Sequence, residues 1–238
     1  MRWKVRLIGS EIGLKYLSKS FSNDPEIFAE EDEFYIQCSK FERLSEASEV
    51  RAAARELVRT IRSFGEKDSI RVENLEASDV HETLDDGTKH IDVQHGDDTI
   101  QVRSSTRITK VYEDGPKETI FPSADRTYER TQQALEDEKV QVLVGIRSRG
   151  SSWVNLYRIY EYVQDNIGGD RNIVERGWWS NEQKDRFKRT ANSREAIGNE
   201  ARHGTERIPP PSEPMSHYRA IYLVDELVEN WLRHRKNL

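Results

Sequence analysis

The hydrophobic period of this 238-residue chain changes near Ser123. Before that point apolar residues alternate in short runs around a single long amphipathic segment. After it they recur every three or four residues almost to the end. A period of two belongs to strands and a period of 3.6 to helices, so the two halves cannot share one regular architecture. The expected fold is α+β: an N-terminal mixed strand and helix domain over 1–122, then a C-terminal antiparallel helical bundle over 123–238.

Within 1–122, Trp3-Lys4-Val5-Arg6-Leu7 alternates as a half-buried strand should. Ile27-Phe28-Ala29 and Phe34–Cys38 flank the acidic Glu30–Glu33 and predict a hairpin. A helix is expected from about Glu46 to Phe64, burying Val50, Ala54, Leu57, Ile61 and Phe64, with Gly65 placed to end it. Further strands are expected at Ile70–Leu75, His90–His95 and Thr99–Val102, the last two joined by Gly96-Asp97-Asp98. Ile108–Tyr112 and Glu118–Phe121 can form another hairpin around Asp114-Gly115-Pro116.

In the second half, Ser123 can cap a helix carrying Tyr128, Leu135, Val142 and Ile146, with Val140–Val144 read as helix rather than strand. Trp153, Leu156, Tyr157, Tyr160, Val163 and Ile167 mark the next helix, which Gly168-Gly169 ends. Ser180-Asn181-Glu182-Gln183 is a capping-box sequence opening a helix toward Thr190. Pro209-Pro210-Pro211 and Pro214 force an extended connector. Ser216 can then cap a last helix with Ala220, Val224, Leu227, Val228 and Trp231 inside and Arg233, His234, Arg235 and Lys236 at its C-terminus.

Composition narrows the class of protein. No apolar run approaches the roughly 18–20 residues of a membrane span. Met1–Arg6 leads into no long apolar segment, so no secretory signal is expected there. A single cysteine, Cys38, cannot form an internal disulfide, and a buried apolar role suits it better than nucleophilic catalysis. These features point to a cytoplasmic protein without a membrane partner. The net charge of −6 is uneven: residues 1–122 hold 18 Lys and Arg against 25 Asp and Glu, a net −7, and the remainder carries +1. That balance demands no nucleic acid but leaves room for a local basic patch.

The stretch Ala191–Gly204 is where chemistry is expected. On a regular helix Asn192, Asn199 and His203 share one stripe, with Glu195 and Arg202 on the adjoining one. An imidazole there can take a proton from a ribose 2′-hydroxyl while a guanidinium stabilises charge on phosphate. His203 would be the base, Arg202 the phosphate stabiliser, and Asn199 with Glu195 the orienting groups. The same residues serve equally as a polar network fixing helix register. Nearby, Lys184, Arg186, Lys188, Arg189 and Arg194 can grip an RNA backbone or form a solvated helix face. Arg51, Arg55, Arg59 and Arg62 form a second basic stripe, with Glu46, Glu49 and Glu56 as local partners. His81, Glu82, Asp85, Asp86, His90, Asp92, His95, Asp97 and Asp98 offer ligand-type side chains without a metal-binding spacing, and read as turn acids and exposed strand positions. No metal or cofactor is assigned.

The C-terminal half resembles the HEPN superfamily of prokaryotic helical domains. The resemblance rests on Trp153-Val154-Asn155-Leu156-Tyr157 with Glu161, on Ala191-Asn192, on Asn199-Glu200-Ala201-Arg202-His203-Gly204, and on Pro214-Met215-Ser216. It covers about 124–238. It implies a helical bundle, frequently dimeric, of the phage-defence or toxin–antitoxin type, with RNA binding or metal-independent ribonuclease activity. Family ribonucleases generally separate their arginine and histidine by four to six residues, whereas Arg202 and His203 are adjacent. Adjacent side chains diverge by about 100° on a regular helix. Two expectations therefore stand together: a HEPN-like protein that binds or cleaves RNA, or a non-catalytic sensor or assembly module, with a second copy or another protein as partner.

Overall fold

A computed structural model describes residues 2–65, 72, 74–93, 125–202 and 209–236. The protein is α+β, and it divides into two compact units, Met1–Gln132 and Gln133–Leu238. The expected boundary at 122/123, the cap at Ser123 and every strand expected between 94 and 121 lie outside the described residues.

The first unit is an antiparallel sheet with helices on one face. Strands β1 (Trp3–Ile8), β2 (Glu26–Glu30), β3 (Glu33–Gln37), β4 (Glu76–Thr83) and β5 (Lys89–Asp92) lie in the order β2-β3-β1-β4-β5. The expected hairpin is present, pairing Ala29 with Phe34 and Glu30 with Glu33. Its two-residue turn holds Glu31 and Asp32 at φ 51° and 67°, the left-handed geometry that matches strand twist. Helix α1 (Glu11–Ser20), which the sequence reading missed, packs on β2, while α2 (Ala47–Gly65) packs on β1 and β4. All five residues of the expected α2 stripe are buried. Val50, Ala54, Leu57 and Ile61 meet Trp3, Val5 and Leu7 of β1 and Ile27 and Ile36 of the hairpin in one apolar core.

The strand expected at Ile70–Leu75 is corrected. Asn74 and Leu75 form a turn and irregular backbone, and the strand starts at Glu76. Its pairing with β1 shifts register between Val5 and Leu7, so the buried Ala77 and Val80 stand three apart and the two-residue alternation is lost. Ile70, Arg71 and Glu73 lie outside the described residues.

The second unit is built around α5 (Trp153–Asn166). It packs against α4 (Glu138–Arg147), α6 (Asp170–Glu175), α7 (Asn181–Asn192) and α9 (His217–Lys236). Ser152 caps α5, the Ser180–Gln183 capping box opens α7, and Gly168 and Gly169 follow α5 with φ of 85° and 113°. Trp153, Tyr157, Tyr160, Trp179 and Phe187 stack or tilt against one another at 5.3–6.1 Å between ring centres. The expected helix after Ser123 is two helices, α3 (Asp125–Glu136) and α4, divided at Asp137, whose carboxylate caps α4. That break resets the phase: Leu135 and Val142 are exposed, and Ala134, Val140, Leu143 and Val144 are buried instead. No helix among the described residues is long and apolar enough to cross a membrane.

Candidate functional site

The segment expected to be one polar helix is a series of corners. Helix α7 stops at Asn192. Ser193 then ends α7 and caps α8 (Arg194–Ile197), its hydroxyl accepting from the Ala196 N–H at 3.3 Å. Gly198 follows with φ 64°, and a single 3₁₀ turn covers Gly198–Glu200. The proposed helical stripe therefore does not form. Asn192 is buried, whereas Glu195 and Asn199 are exposed and make no hydrogen bond among the described residues. His203 and Gly204 lie outside those residues.

Arg202 is the best-defined member of the group. Its backbone N–H donates to the Ala191 carbonyl at 3.0 Å, tying the segment back to the end of α7. Its guanidinium donates to Glu161 Oε1 at 2.8 Å and lies over the Tyr157 ring, 4.4 Å from the centroid. Glu161 and Tyr157 are four residues apart on α5 and so share a face of that helix. The carboxylate takes one of the five guanidinium N–H donors and the tyrosine ring covers one face of the plane, which fixes the orientation of the group.

The basic cluster on α7 fastens neighbouring segments. Arg186 donates to the Glu213 carbonyl at 2.7 Å, and Arg189 donates to the carbonyls of Pro209 and Pro210 at 3.3 and 2.8 Å. Proline carbonyls accept freely, so the connector after 208 is stapled to α7 by two arginine forks. Lys188 reaches Asp170 at 2.5 Å, and Lys184 reaches Asn181 Oδ1 at 3.2 Å. Arg194 is exposed with no partner among the described residues.

Sequence reasoning missed Asp170 entirely. Its carboxylate accepts from Lys188 and from the hydroxyl of the buried Tyr160. Burial raises the Asp170 carboxyl, but hydrogen bonds from Lys188 and Tyr160 outweigh it and hold the group below the usual carboxylate range. Burial, and then the Asp170 charge, push the Tyr160 phenol well up. This is a neutral tyrosine anchoring an ionised carboxylate, not a proton-abstracting group. Asn155, from the segment that carries the resemblance, and Asn192, from the expected stripe, are both buried amides. Asn155 donates to the carbonyls of Ile146 and Gly150, and Asn192 donates to that of Lys188, yet the Oδ1 of each has no hydrogen-bond partner among the described residues. The Asn192 contact is a four-residue step within α7, whereas Asn155 reaches back to the end of α4 and the turn after it, which helical spacing does not reveal.

Among the described residues no three His, Cys, Asp or Glu side chains gather closely enough to hold a metal ion. His81 stands edge-on to Tyr35, Glu82 engages Arg2, Asp86 accepts from the Thr88 N–H, and His90 is exposed 3.7 Å from Glu82. Asp92 pairs with Arg51 at 2.9 Å, so the partner of that arginine comes from the sheet. Glu49, one of the expected partners, instead accepts from the N–H groups of Ser45 and Glu46 at the start of α2. His95, Asp97 and Asp98 lie outside the described residues. Cys38 is buried, and burial pushes its thiol up to about 11, which leaves it un-ionised and inert near neutral pH.

No family model, curated protein or solved structure matches the chain. The HEPN resemblance therefore rests on the residues quoted for it.

Proposed function

We propose that the C-terminal unit is a non-catalytic assembly module of HEPN-like type, in which Arg202 is a structural tie between α5 and the segment after α7. The observation that carries this reading is the engagement of Arg202 by Glu161 and Tyr157. Catalysis on phosphodiesters needs a guanidinium presented to the substrate and close to the general base. Here it closes the corner after α7 instead. The cationic heads of Arg186, Lys188 and Arg189 likewise serve contacts inside the unit rather than a phosphate track.

The test compares wild type with His203→Ala on mixed single-stranded and structured RNAs, with and without divalent ions, and records melting temperature beside it. The expected result is no cleavage above background by either protein. Cleavage by wild type that disappears in His203→Ala overturns the reading in favour of the metal-independent ribonuclease.

A further inference from the structure

The turn after α6 and the last turn of α9 meet at one half-buried indole, that of Trp178. The backbone fixes this turn. Gly177 takes φ 68°, and the N–H groups of Gly177 and Trp178 donate to the carbonyls of Val174 and Ile173 at 2.9 and 3.0 Å, a closure that ends α6 and sets where the indole leaves the chain. The Arg176 guanidinium lies over the Trp178 ring, 5.7 Å from its centre, and the His234 imidazole stands edge-on to the same ring at 5.9 Å. Carboxylates are near but engaged: Glu175 holds Arg171 and Asp137 holds Arg235, each at 2.6 Å. Neither Arg176 nor His234 forms an ion pair among the described residues. Contact with the ring uses the face of the Arg176 guanidinium and none of its five N–H donors. Burial lowers the pKa of His234, and the charges of Arg176 and Arg235 lower it further. Like charges gathered around an imidazole cost free energy that a bound anion removes.

We propose that Arg176, His234 and Trp178 form a binding site for a small phosphomonoester, the two cationic groups donating to its phosphate oxygens and the indole receiving its apolar substituent. Charge selects this class of ligand. A phosphomonoester carries about −1.5 to −2 near neutral pH, with three acceptor oxygens, and so matches one guanidinium and one imidazolium. A phosphodiester or a carboxylate carries a single charge, which Arg176 alone satisfies. Binding also recruits a proton. The anion favours the charged imidazole, so the His234 pKa rises on binding and the ring takes up a proton. The site lies away from Arg202 and requires neither cleavage nor assembly by the unit.

An NMR titration of the histidine ring signals of the full chain tests this, with the His234 signals assigned by their loss in His234→Gln. The probes are inorganic phosphate, phenyl phosphate, dimethyl phosphate and acetate at constant ionic strength. Inorganic phosphate is expected to shift the His234 signals saturably and to raise the pKa read from them. Phenyl phosphate is expected to bind more tightly, an advantage lost in Trp178→Leu, and the two singly charged anions more weakly by about tenfold or more. Arg176→Gln is expected to weaken phosphate binding by about tenfold or more, whereas Arg219→Gln, which removes the same charge elsewhere in the unit, leaves it unchanged. Both arginines are exposed, and unchanged melting temperatures verify folding. His234 signals that do not move, that move equally with all four anions, or that respond as in wild type after Arg176→Gln overturn the proposal. Single-stranded RNA with hydroxyl ends that shifts these signals at lower concentration than inorganic phosphate assigns the cluster to a phosphodiester backbone and overturns it as well. A phosphoserine peptide that binds more tightly than phenyl phosphate places the phosphate on a protein chain and overturns the assignment to a small molecule. Cleavage abolished by His203→Ala is a separate result, and overturns the assembly reading whatever the phosphate titration shows.

Discussion

Arg202 does three things at once: it bonds Ala191 through its backbone, pairs with Glu161, and covers Tyr157. The pair is partly exposed, with 31% and 37% of the two side chains in water, so screening limits its strength. Arg202→Ala is expected to cost about 1 kcal/mol, as the sum of a partly exposed ion pair and a cation–π contact. Chemical denaturation checks this, and Arg202→Lys should recover only part of the loss because it cannot form the flat stack. Asp170 and Asp137 carry a pH dependence. Burial raises both carboxyls, but the hydrogen bonds from Lys188 and Tyr160 to Asp170, and from Arg235 to Asp137, hold them below their ordinary values. A carboxyl depressed on folding adds stability above its unfolded pKa of about 4, and that stability is lost as pH falls through the lower folded value. Thermal melts below about pH 4 should therefore fall less steeply for Asp170→Asn than for wild type.

At the scale of elements, caps decide where helices begin. Ser180 and Gln183 satisfy each other's backbone N–H groups at the start of α7. Ser180→Ala is expected to destabilise the protein by about 1 kcal/mol, and Ser180→Asp by much less, as read by urea unfolding. Elements with a clean signal were legible in the sequence: β1, the Glu30–Glu33 hairpin, α2, α5, the start of α7 and the inner face of α9. Those that break a period were not. Helix α1 is ten residues with a glycine and two serines, and it buries only Gly13, Leu14 and Leu17. Strand β4 is interrupted by its register shift. The candidate site was legible as composition but not as geometry. Local spacing treated Ala191–Gly204 as one helix, whereas Ser193 and Gly198 turn it twice. The partner of Arg202 lies 41 residues upstream, beyond the reach of any helical period.

For the whole molecule, the two units carry separate reporters. Cys38 is buried in the first, and four of the five tryptophans, Trp153, Trp178, Trp179 and Trp231, belong to the second. Thiol labelling is expected to be negligible in buffer and to appear in denaturant as the first unit opens, while tryptophan emission follows mainly the second. Coincident midpoints mean one cooperative transition; separate ones mean that each core stands alone. The connector after 208 and the joint at Ser193 differ in their tolerance of length change. The connector has no regular structure in its described part and is pinned by arginines with long side chains. Ser193 is a single residue that closes one helix and opens the next. A residue inserted after Asn192 would split those duties and turn everything downstream by about a quarter of a revolution, carrying Arg202 away from Ala191 and Glu161. Insertions and deletions should therefore be accepted in the proline connector and rejected at that one corner, a pattern that a library of single-residue insertions can read directly.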